Sequence, residues 1–249
     1  LFLDFSKVKI KNLEKEINKK INNYKNQYIK YYNRNKHLNK QAIMHDPNPR
    51  LIIVKGMGLF STGKNFVDAQ IAKDVGINSL SVIMDAIKYG KFKTIDEKEI
   101  FRMEYWPLEL AKIKKSNLPL QGNVTIISGG LGTIGYATAL KFLKEGSEVV
   151  LLDKIKNNKN INGMSFFKCD LTNEDEIRKV LKQISEKFGG IDNIISNAGF
   201  AIQKPLKDID KILLDKSFSI NFFAHHFLAQ QSVKILKTQS TGGSILFNI

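Results

Sequence analysis

A glycine-rich turn is the sequence feature that most constrains how this chain can fold. Residues 128–135 read Ser-Gly-Gly-Leu-Gly-Thr-Ile-Gly, and they stand between an apolar run at 124–127 and a helical pattern at 134–144. Without Cβ atoms, glycines let the backbone turn sharply and approach a phosphate closely, while the N-terminus of a helix offers free N–H donors. The segment therefore predicts a strand, a phosphate-binding turn and a helix in succession.

The spacing of these glycines matches the dinucleotide-binding fingerprint in two ways. Gly130, Gly132 and Gly135 fit G-x-G-x-x-G, whereas Gly129 with Gly132 and Gly135 fits an alternative spacing of three. In both alignments Gly135 falls in the first turn of the helix, where a missing side chain allows the helix to pack closely on the strand. The turn is therefore predicted to hold a pyrophosphate.

An acidic residue follows at the distance that the fingerprint requires. The second predicted strand, 148–152, is followed by Asp153, about 20 residues after the turn. A carboxylate at this position accepts hydrogen bonds from the ribose hydroxyls and repels a 2′-phosphate, which favours NAD over NADP. Lys154 is a cation that could receive that phosphate, so NADP stays open as the less favoured cofactor.

The second half of the chain alternates apolar strand patterns with helical ones. Predicted strands occupy residues 124–127, 148–152, 164–167, 191–196 and 244–249, and predicted helices occupy 134–144, 174–187 and 212–237, the last being one long or broken helix. Thr172, with Asp175 three residues later, predicts a capping box for the second helix. This order predicts an α/β fold with a doubly wound, Rossmann-type parallel sheet. The sequence covers this sheet up to the fifth strand.

The first half predicts a smaller, mainly helical α/β module. In order, it shows an amphipathic helix over 12–32, a turn at 46–49, a strand over 51–54, helices near 65–74 and 79–88, and a helix over 96–115. The stretch 116–122 is the predicted linker. We therefore expect a first module over 1–115 and a nucleotide-binding domain over 123–249.

Residues 58–65 imitate a P-loop. They read Gly-Leu-Phe-Ser-Thr-Gly-Lys-Asn after an apolar strand, which matches G-x-x-x-x-G-K up to the final position. That position needs Ser or Thr to hold Mg²⁺, and Asn65 is a poor substitute. No apolar strand ending in Asp follows before the linker, so we do not predict a P-loop.

The charge of the chain constrains its partners. The net charge of +15 comes from 39 Lys and Arg residues against 24 Asp and Glu residues. The excess is densest between Lys7 and Lys40, over a predicted helix, which favours a solvated helix face over a nucleic-acid site. No apolar run approaches the roughly 18 residues of a membrane span. We therefore expect neither a nucleic-acid nor a membrane partner.

Cysteine and histidine usage indicates a reducing compartment and no metal. Cys169 is the single cysteine, so no internal disulfide can form, and we expect a cytoplasmic protein in which Cys169 is buried. The four histidines, His37, His45, His225 and His226, show neither His-x-His spacing nor an acidic companion. We therefore assign no metal site.

Three further segments extend the match in chain order. They are Cys169-Asp170-Leu171-Thr172, Ser196-Asn197-Ala198-Gly199 and Ser219-Ile220-Asn221. With the glycine turn, they resemble the short-chain dehydrogenase/reductase family over residues 123–249. The resemblance implies that Asp170 contacts the adenine, that Asn197 lies beside the nicotinamide ribose, and that Asn221 holds a water in the proton relay. The predicted cofactor-binding residues are Ser128, Gly129, Gly130, Gly132, Thr133, Ile134, Gly135, Asp153, Asp170, Leu171, Asn197, Ala198 and Gly199, with Asn221 as the predicted catalytic residue.

The family's catalytic tyrosine, with a lysine four residues later, has no counterpart after the fifth strand of this sequence. The resemblance implies hydride transfer between NAD and a small alcohol or aldehyde in a longer parent protein, which is expected to be a homo-oligomer. We expect the present chain to bind cofactor weakly and to catalyse nothing unaided.

The segments of the first half suggest a pathway context. Asp46-Pro47-Asn48-Pro49-Arg50, residues 51–64 and residues 104–112 precede the linker in an order that resembles the bifunctional aldolase/short-chain dehydrogenases, such as rhamnulose-1-phosphate aldolase/lactaldehyde (alcohol) dehydrogenases. This resemblance implies a fragment of a sugar-catabolic enzyme, with residues 1–115 as its connecting module. Two alternatives stay open, a stand-alone dehydrogenase with an unrelated N-terminal extension and a non-catalytic dinucleotide-binding protein.

Overall fold

The computed structural model describes residues 1–108, 118–155, 161 and 163–248. The chain separates into two compact units, Leu1–Ser116 and Asn117–Ile249. Each unit contains one sheet, of three strands in the first and five in the second. Parts of three predictions fall outside the described residues, namely 109–115 of the helix predicted over 96–115, 116–117 of the linker and Ile249 of the last strand.

The described part of the first unit combines a small mixed sheet with α-helices. Its elements are β1 (Phe2–Leu3), α1 (Leu13–Asn35), β2 (Leu51–Val54), β3 (Gly58–Ser61), α2 (Phe66–Tyr89) and α3 (Glu97–Glu104). β1 lies parallel to β2, and β2 pairs with β3 as an antiparallel hairpin. The predicted amphipathic helix and the predicted strand over 51–54 are confirmed as α1 and β2.

The prediction of two helices near 65–74 and 79–88 is wrong, because α2 runs through the whole region as one helix. The region between the two predicted helices contains Gly76, and glycine weakens a helix by about 1 kcal/mol relative to alanine. Here Gly76 is buried, and a Cβ atom on it would lie 2.7 Å from Leu51 Cδ1. The glycine therefore allows α2 to approach β2 closely instead of ending the helix.

The helix predicted over 96–115 is interrupted, since α3 ends at Glu104 and residues 107–108 are helical again, while 109–115 lie outside the described residues. Its start agrees with the prediction, because the Asp96 side chain accepts a hydrogen bond from the Lys98 N–H at 2.8 Å as the N-cap. The end follows from Pro107. A proline disfavours helical geometry in the residue before it, and Trp106 lies outside any helix.

An aromatic cluster joins α1 to α3. Phe101 and Tyr105 of this cluster are fully buried. The Tyr28 hydroxyl lies 2.7 Å from the Tyr105 hydroxyl, and the Tyr31 hydroxyl donates to Glu104 Oε2 at 2.9 Å. Tyr28 and Tyr31 of α1 are thus half-buried while their hydroxyls stay hydrogen-bonded, which avoids the cost of an unpaired polar group.

The P-loop look-alike does not form a phosphate loop. The first four residues of the pattern form β3, paired with β2 along its length. Asn65 caps α2, since its Oδ1 accepts the Asp68 N–H at 2.8 Å. The pattern is therefore divided between a strand and a helix cap.

The second unit is a layered α/β domain. Its elements are β4 (Val124–Ser128), α4 (Thr133–Lys144), β5 (Glu148–Asp153), β6 (Met164–Lys168), α5 (Glu174–Phe188), β7 (Asn193–Ser196), α6 (Lys211–Phe218), a π-helical segment (Ser219–Phe223), α7 (Ala224–Gln239) and β8 (Ser244–Phe247). The strand order is β6-β5-β4-β7-β8, and all four pairings are parallel. The predicted α/β fold class is confirmed.

The sheet is covered on both faces, as its apolar strands require. Ile126 of β4 belongs to a core cluster that includes Ile177 of α5 and Leu228 of α7. The neighbouring Ile127 belongs to a second cluster, which includes Ala139 of α4. Successive side chains of a strand point to opposite faces, so helices pack on both sides in the doubly wound arrangement.

The cap of α5 differs from the predicted capping box. Asn173, not Thr172, is the N-cap, and its Oδ1 accepts the N–H groups of Asp175 and Glu176 at 3.0 and 3.2 Å. The Thr172 hydroxyl instead donates to Asp170 Oδ1 at 2.7 Å. Asn is at least as good an N-cap as Thr, so the one-residue shift has no cost.

We predict that Asn173→Ala lowers the free energy of unfolding by about 1 kcal/mol, because two N–H groups of α5 lose their acceptor. Thr172→Ala should cost less, since its hydrogen bond lies outside the helix. Urea denaturation followed by far-ultraviolet circular dichroism measures both variants. A larger loss for Thr172→Ala would restore the capping box and contradict the observed cap.

Candidate functional site

A cleft with a volume of about 650 Å³ lies at the carboxyl edge of the parallel sheet. Such edges hold ligands in open α/β sheets where the strand order reverses, here between β4 and β7. The cleft is lined by Gly129, Leu131, Gly132, Thr133, Ile134, Gly135, Asp153, Lys154, Ile155, Cys169, Asp170, Leu171, Thr172, Asn197, Ala198, Gly199, Ile220 and Ala224. The structure thus brings all the predicted cofactor-binding residues to one cleft, except Ser128 and Gly130.

The glycine turn is shaped by two close backbone approaches. Gly129 has a φ of +61°, and a Cβ atom on it would lie 2.9 Å from Ala198 Cα. A Cβ atom on Gly135 would overlap the carbonyl oxygen of Gly129. Gly130 lies behind the turn, where its N–H donates to the Leu152 carbonyl at 3.1 Å. A side chain at these positions would therefore displace the loop that faces the cleft.

Ser128 ties the end of β4 to the end of β7 from beneath the cleft. Its buried Oγ accepts the N–H groups of Asn197 and Ala198 at 2.8 and 3.1 Å. In return, Asn197 Nδ2 donates to the Ser128 carbonyl at 3.1 Å. Ser128 therefore fixes the distance between the glycine turn and the loop after β7, although it does not line the cleft itself.

Asp153 also supports the turn. Its carboxylate accepts the Leu131 N–H at 3.1 Å and the Ile155 N–H at 3.2 Å. The end of β5 is thus locked to the glycine turn of β4 by a charged acceptor. The structure places this carboxylate on the cleft wall, where the fingerprint expects the ribose-binding acid.

Lys154 and Asp170 form an ion pair at the cleft, with 2.7 Å between Nζ and Oδ2. Burial opposes ionisation of Asp170, but hydrogen bonds from Lys154 and Thr172 outweigh it and hold the pKa of this carboxyl below its usual value. The same bond raises the pKa of Lys154. The cation beside Asp153 is therefore engaged by a carboxylate of the neighbouring loop.

Cys169 is buried, as the sequence predicted, although its surface forms part of the cleft wall. Burial, with smaller contributions from Glu176 and Asp170, raises the pKa of its thiol to about 12. The thiol is therefore neutral at physiological pH, and a neutral thiol is a poor nucleophile.

Asn221 lies in the π-helical segment, outside the cleft lining. Its Oδ1 accepts the Phe200 N–H at 2.8 Å, while its Nδ2 donates to the Phe200 carbonyl at 2.7 Å and to Ser217 Oγ at 3.1 Å. π-helical turns are frequent at functional sites. In this structure the amide holds the loop after β7 against the helix.

Sequence reasoning missed several residues of the cleft. Ile155 and Ala224 line it with apolar side chains that no motif marks, and Ile220 lines it from a motif in which only Asn221 was given a role. The sequence also gave no indication of a role for His225, which is buried next to Ser196. The distance between His225 Nδ1 and Ser196 Oγ is 2.6 Å. Burial lowers the pKa of His225, although a hydrogen bond with the Ala198 backbone opposes this shift. The residue pattern alone gave no signal for this pair, which is 29 residues apart in the chain.

The fold and the cleft define a dinucleotide-binding domain of the parallel-sheet class. The sequence family described as "short chain dehydrogenase" matches residues 123–248, and the family described as "Aldolase class II, second domain" matches residues 1–113. The chain belongs to the short-chain dehydrogenase family. Its second unit is an oxidoreductase domain of that family, preceded by an aldolase class II domain, which confirms the predicted aldolase/dehydrogenase arrangement.

Individual relatives agree with this assignment. The chain is 27% identical over 230 residues to "Uncharacterized oxidoreductase YuxG" of Bacillus subtilis (strain 168), a match that covers 87% of this chain and 33% of that protein. It is 30% identical over 135 residues to "NADP-dependent (R)-specific alcohol dehydrogenase" of Lentilactobacillus kefiri, covering 51% of this chain and 54% of that protein. The chain thus spans one third to about half of the length of these relatives.

A solved structure shows the same fold. It is a short-chain type dehydrogenase/reductase from Mycobacterium marinum, which matches with a TM-score of 0.50 and 23% sequence identity. The match covers 51% of this chain and 56% of that chain. This likeness concerns the fold of the second unit alone.

Two features are absent from the described residues. Across residues 1–108, 118–155, 161 and 163–248, none of the helices combines the length and the apolarity that a bilayer crossing requires. In the same part of the chain, His, Cys, Asp and Glu side chains form no group of three or more that could hold a metal ion.

We predict that Gly135→Ala destabilises the second unit by about 1–3 kcal/mol, because the new methyl group overlaps a backbone carbonyl that cannot move without distorting the turn. Gly199→Ala is the matched control in the same cleft, since its Cβ atom would meet nothing nearer than Asn221 Oδ1 at 3.7 Å. Thermal unfolding of the two variants measures the difference. Equal melting temperatures would show that the turn is looser than the structure indicates.

Proposed function

We propose that the second unit is the NAD-binding half of a bifunctional aldolase/dehydrogenase, in which it transfers a hydride between NAD and a small alcohol or aldehyde. One observation carries this proposal. The glycine turn, the Asp153 carboxylate and the loop after β7 meet at one cleft at the carboxyl edge of the sheet. Each supports a different portion of a dinucleotide.

The residues of the turn fit a pyrophosphate. Thr133, Ile134 and Gly135 are the first three residues of α4, and their N–H groups have no acceptor within the helix. The first N–H group that donates to a carbonyl one turn earlier is that of Tyr136, which donates to the Gly132 carbonyl at 2.9 Å. The helix N-terminus adds a partial positive charge. A backbone without side chains at Gly129 and Gly135 leaves these donors accessible.

The acidic side of the cleft favours NAD over NADP. The carboxylate of Asp153 would accept hydrogen bonds from the ribose hydroxyls and repel a 2′-phosphate. Lys154, the cation that could offset this repulsion, is paired with Asp170 at 2.7 Å. The Lentilactobacillus relative is described as NADP-dependent, which is the opposite of the preference that we propose here.

A bound nicotinamide would supply the hydride chemistry, and the chain's residues would bind and orient it. The loop after β7, with Asn197, Ala198 and Gly199, would lie beside the nicotinamide ribose. The two bonds from Asn221 to the Phe200 backbone support a positioning role for this amide, and we propose that it also holds the water of the proton relay that the resemblance implies.

The first unit supports the larger context. Its match to a class II aldolase domain, followed directly by the dehydrogenase, is the basis for proposing a sugar-catabolic, cytoplasmic and homo-oligomeric parent enzyme. The aldolase activity of this parent enzyme would cleave a deoxyketose phosphate, and its dehydrogenase would act on the aldehyde that results or on a related alcohol.

We expect NADH to bind the purified chain at least about tenfold more tightly than NADPH, a difference of about 1.4 kcal/mol. Asp153→Asn should narrow this ratio, because it removes the charge that repels the 2′-phosphate, whereas the control Lys154→Ala should not narrow it. Fluorescence titration with both nucleotides measures the ratio. Tighter binding of NADPH to the unmodified chain would reverse the proposed preference.

We also expect this chain to show no turnover alone, because its sequence has no Tyr-x-x-x-Lys after the fifth strand to act as acid and base. Absorbance of NADH, followed with a panel of small aldehydes and alcohols, tests this. Steady oxidation of NADH by the purified chain would show that other residues perform the proton transfer.

A further inference from the structure

We propose that Asn248 is a positioning residue for the dinucleotide cleft, and that it acts by fixing the orientation of the Asn197 side-chain amide. The inference rests on the proposed function, since it takes the cleft as a cofactor site. Asn248 directly follows β8, and it does not line the cleft itself. Any influence on the cofactor must therefore pass through a neighbour.

The two ends of the Asn197 amide meet different neighbours. Nδ2 donates to the Ser128 carbonyl at 3.1 Å. It also faces the glycine turn, because Cβ atoms built on Gly135 and Gly129 would lie 2.9 and 3.3 Å from it. Oδ1 points the other way and accepts a hydrogen bond from Asn248 Nδ2 at 2.7 Å.

A half-turn of this amide would exchange its two ends. Oδ1 would then face the Ser128 carbonyl oxygen, and two acceptors without a proton between them repel each other. The O and NH₂ groups of an amide are nearly equal in shape, so hydrogen-bond partners and not packing select the orientation. Within the described residues Asn248 Nδ2 donates the hydrogen bond that Oδ1 accepts, and this bond reinforces the orientation that the Ser128 carbonyl requires.

The backbone holds Asn248 in place for this role. Its N–H donates to the Ser196 carbonyl at 2.9 Å, which continues the pairing of β8 with β7. The chain of contacts therefore runs from β8 through Asn197 to the carbonyl that precedes Gly129. A change of donor at 248 reaches the phosphate-binding turn through one side chain.

The same two strands offer a matched control. At their opposite ends, Ser244 Oγ donates to Asn193 Oδ1 at 2.7 Å, again between an exposed residue and a half-buried one. Neither residue lines the cleft. Ser244→Ala therefore removes a comparable hydrogen bond between the strands without touching Asn197.

The test measures NADH affinity of the full chain by fluorescence titration. Asn248→Asp is close in shape but its carboxylate only accepts, so it should draw Asn197 Nδ2 away from Ser128. We expect it to weaken NADH binding at least about tenfold, and more than Asn248→Ala, which only removes the donor. Ser244→Ala should stay within about twofold of the unmodified chain. Equal affinity of Asn248→Asp and Ser244→Ala would overturn the proposal.

A double-mutant cycle separates positioning from a general loss of stability. If Asn248 acts through Asn197, Asn248→Asp should cause no further loss of affinity in an Asn197→Ala background. The same loss in both backgrounds would contradict the proposed route. Melting temperatures identify any variant that fails to fold.

Failure of the proposed function gives a different result. In that case the unmodified chain binds neither NADH nor NADPH, and hydrogen exchange of the free chain then tests Asn248 directly. Amides of residues 128–135 should exchange faster in Asn248→Asp than in Ser244→Ala or in the unmodified chain. Unchanged exchange would refute the inference without reference to a nucleotide.

Discussion

The close approach of the glycine turn to the loop after β7 is the constraint on which the cleft depends. Ser128 Oγ accepts hydrogen bonds from two backbone N–H groups of that loop, and Gly135, in the first turn of α4, lies against the Gly129 carbonyl. No side chain fits between these backbones. The hydrogen bonds behind the turn can therefore hold it in one shape before any ligand arrives, while the first N–H groups of α4 stay available to a phosphate.

This pre-formed shape also explains why the residues around the cleft have different structural roles. Ser128 and Gly130 fix the turn from behind, whereas Thr133 and Ile134 present backbone donors to the cleft. Asp153 does both, because its carboxylate supports the Leu131 N–H and also lines the cleft wall. Residues that share a fingerprint therefore have different physical tasks.

What the sequence could predict depended on how local the cause was. The strand, turn and helix around Gly135 follow from residues within about 20 positions, and the fold class follows from the alternation of patterns. The ion-pair partner of Lys154 could not be predicted from nearby residues, because Asp170 comes close to it only when β5 and β6 pair. The sequence also could not predict that α2 is one continuous helix, because the buried contact of Gly76 with Leu51 joins two separate elements.

The single thiol of the chain has a practical consequence. Because Cys169 is buried with a strongly raised pKa, maleimide and iodoacetamide reagents should react with it only slowly in the folded protein. A cysteine introduced at an exposed site would then be modified alone, with no need to remove the natural one. With one exposed cysteine introduced into each unit, a pair of dyes or spin labels would report on the distance between the units.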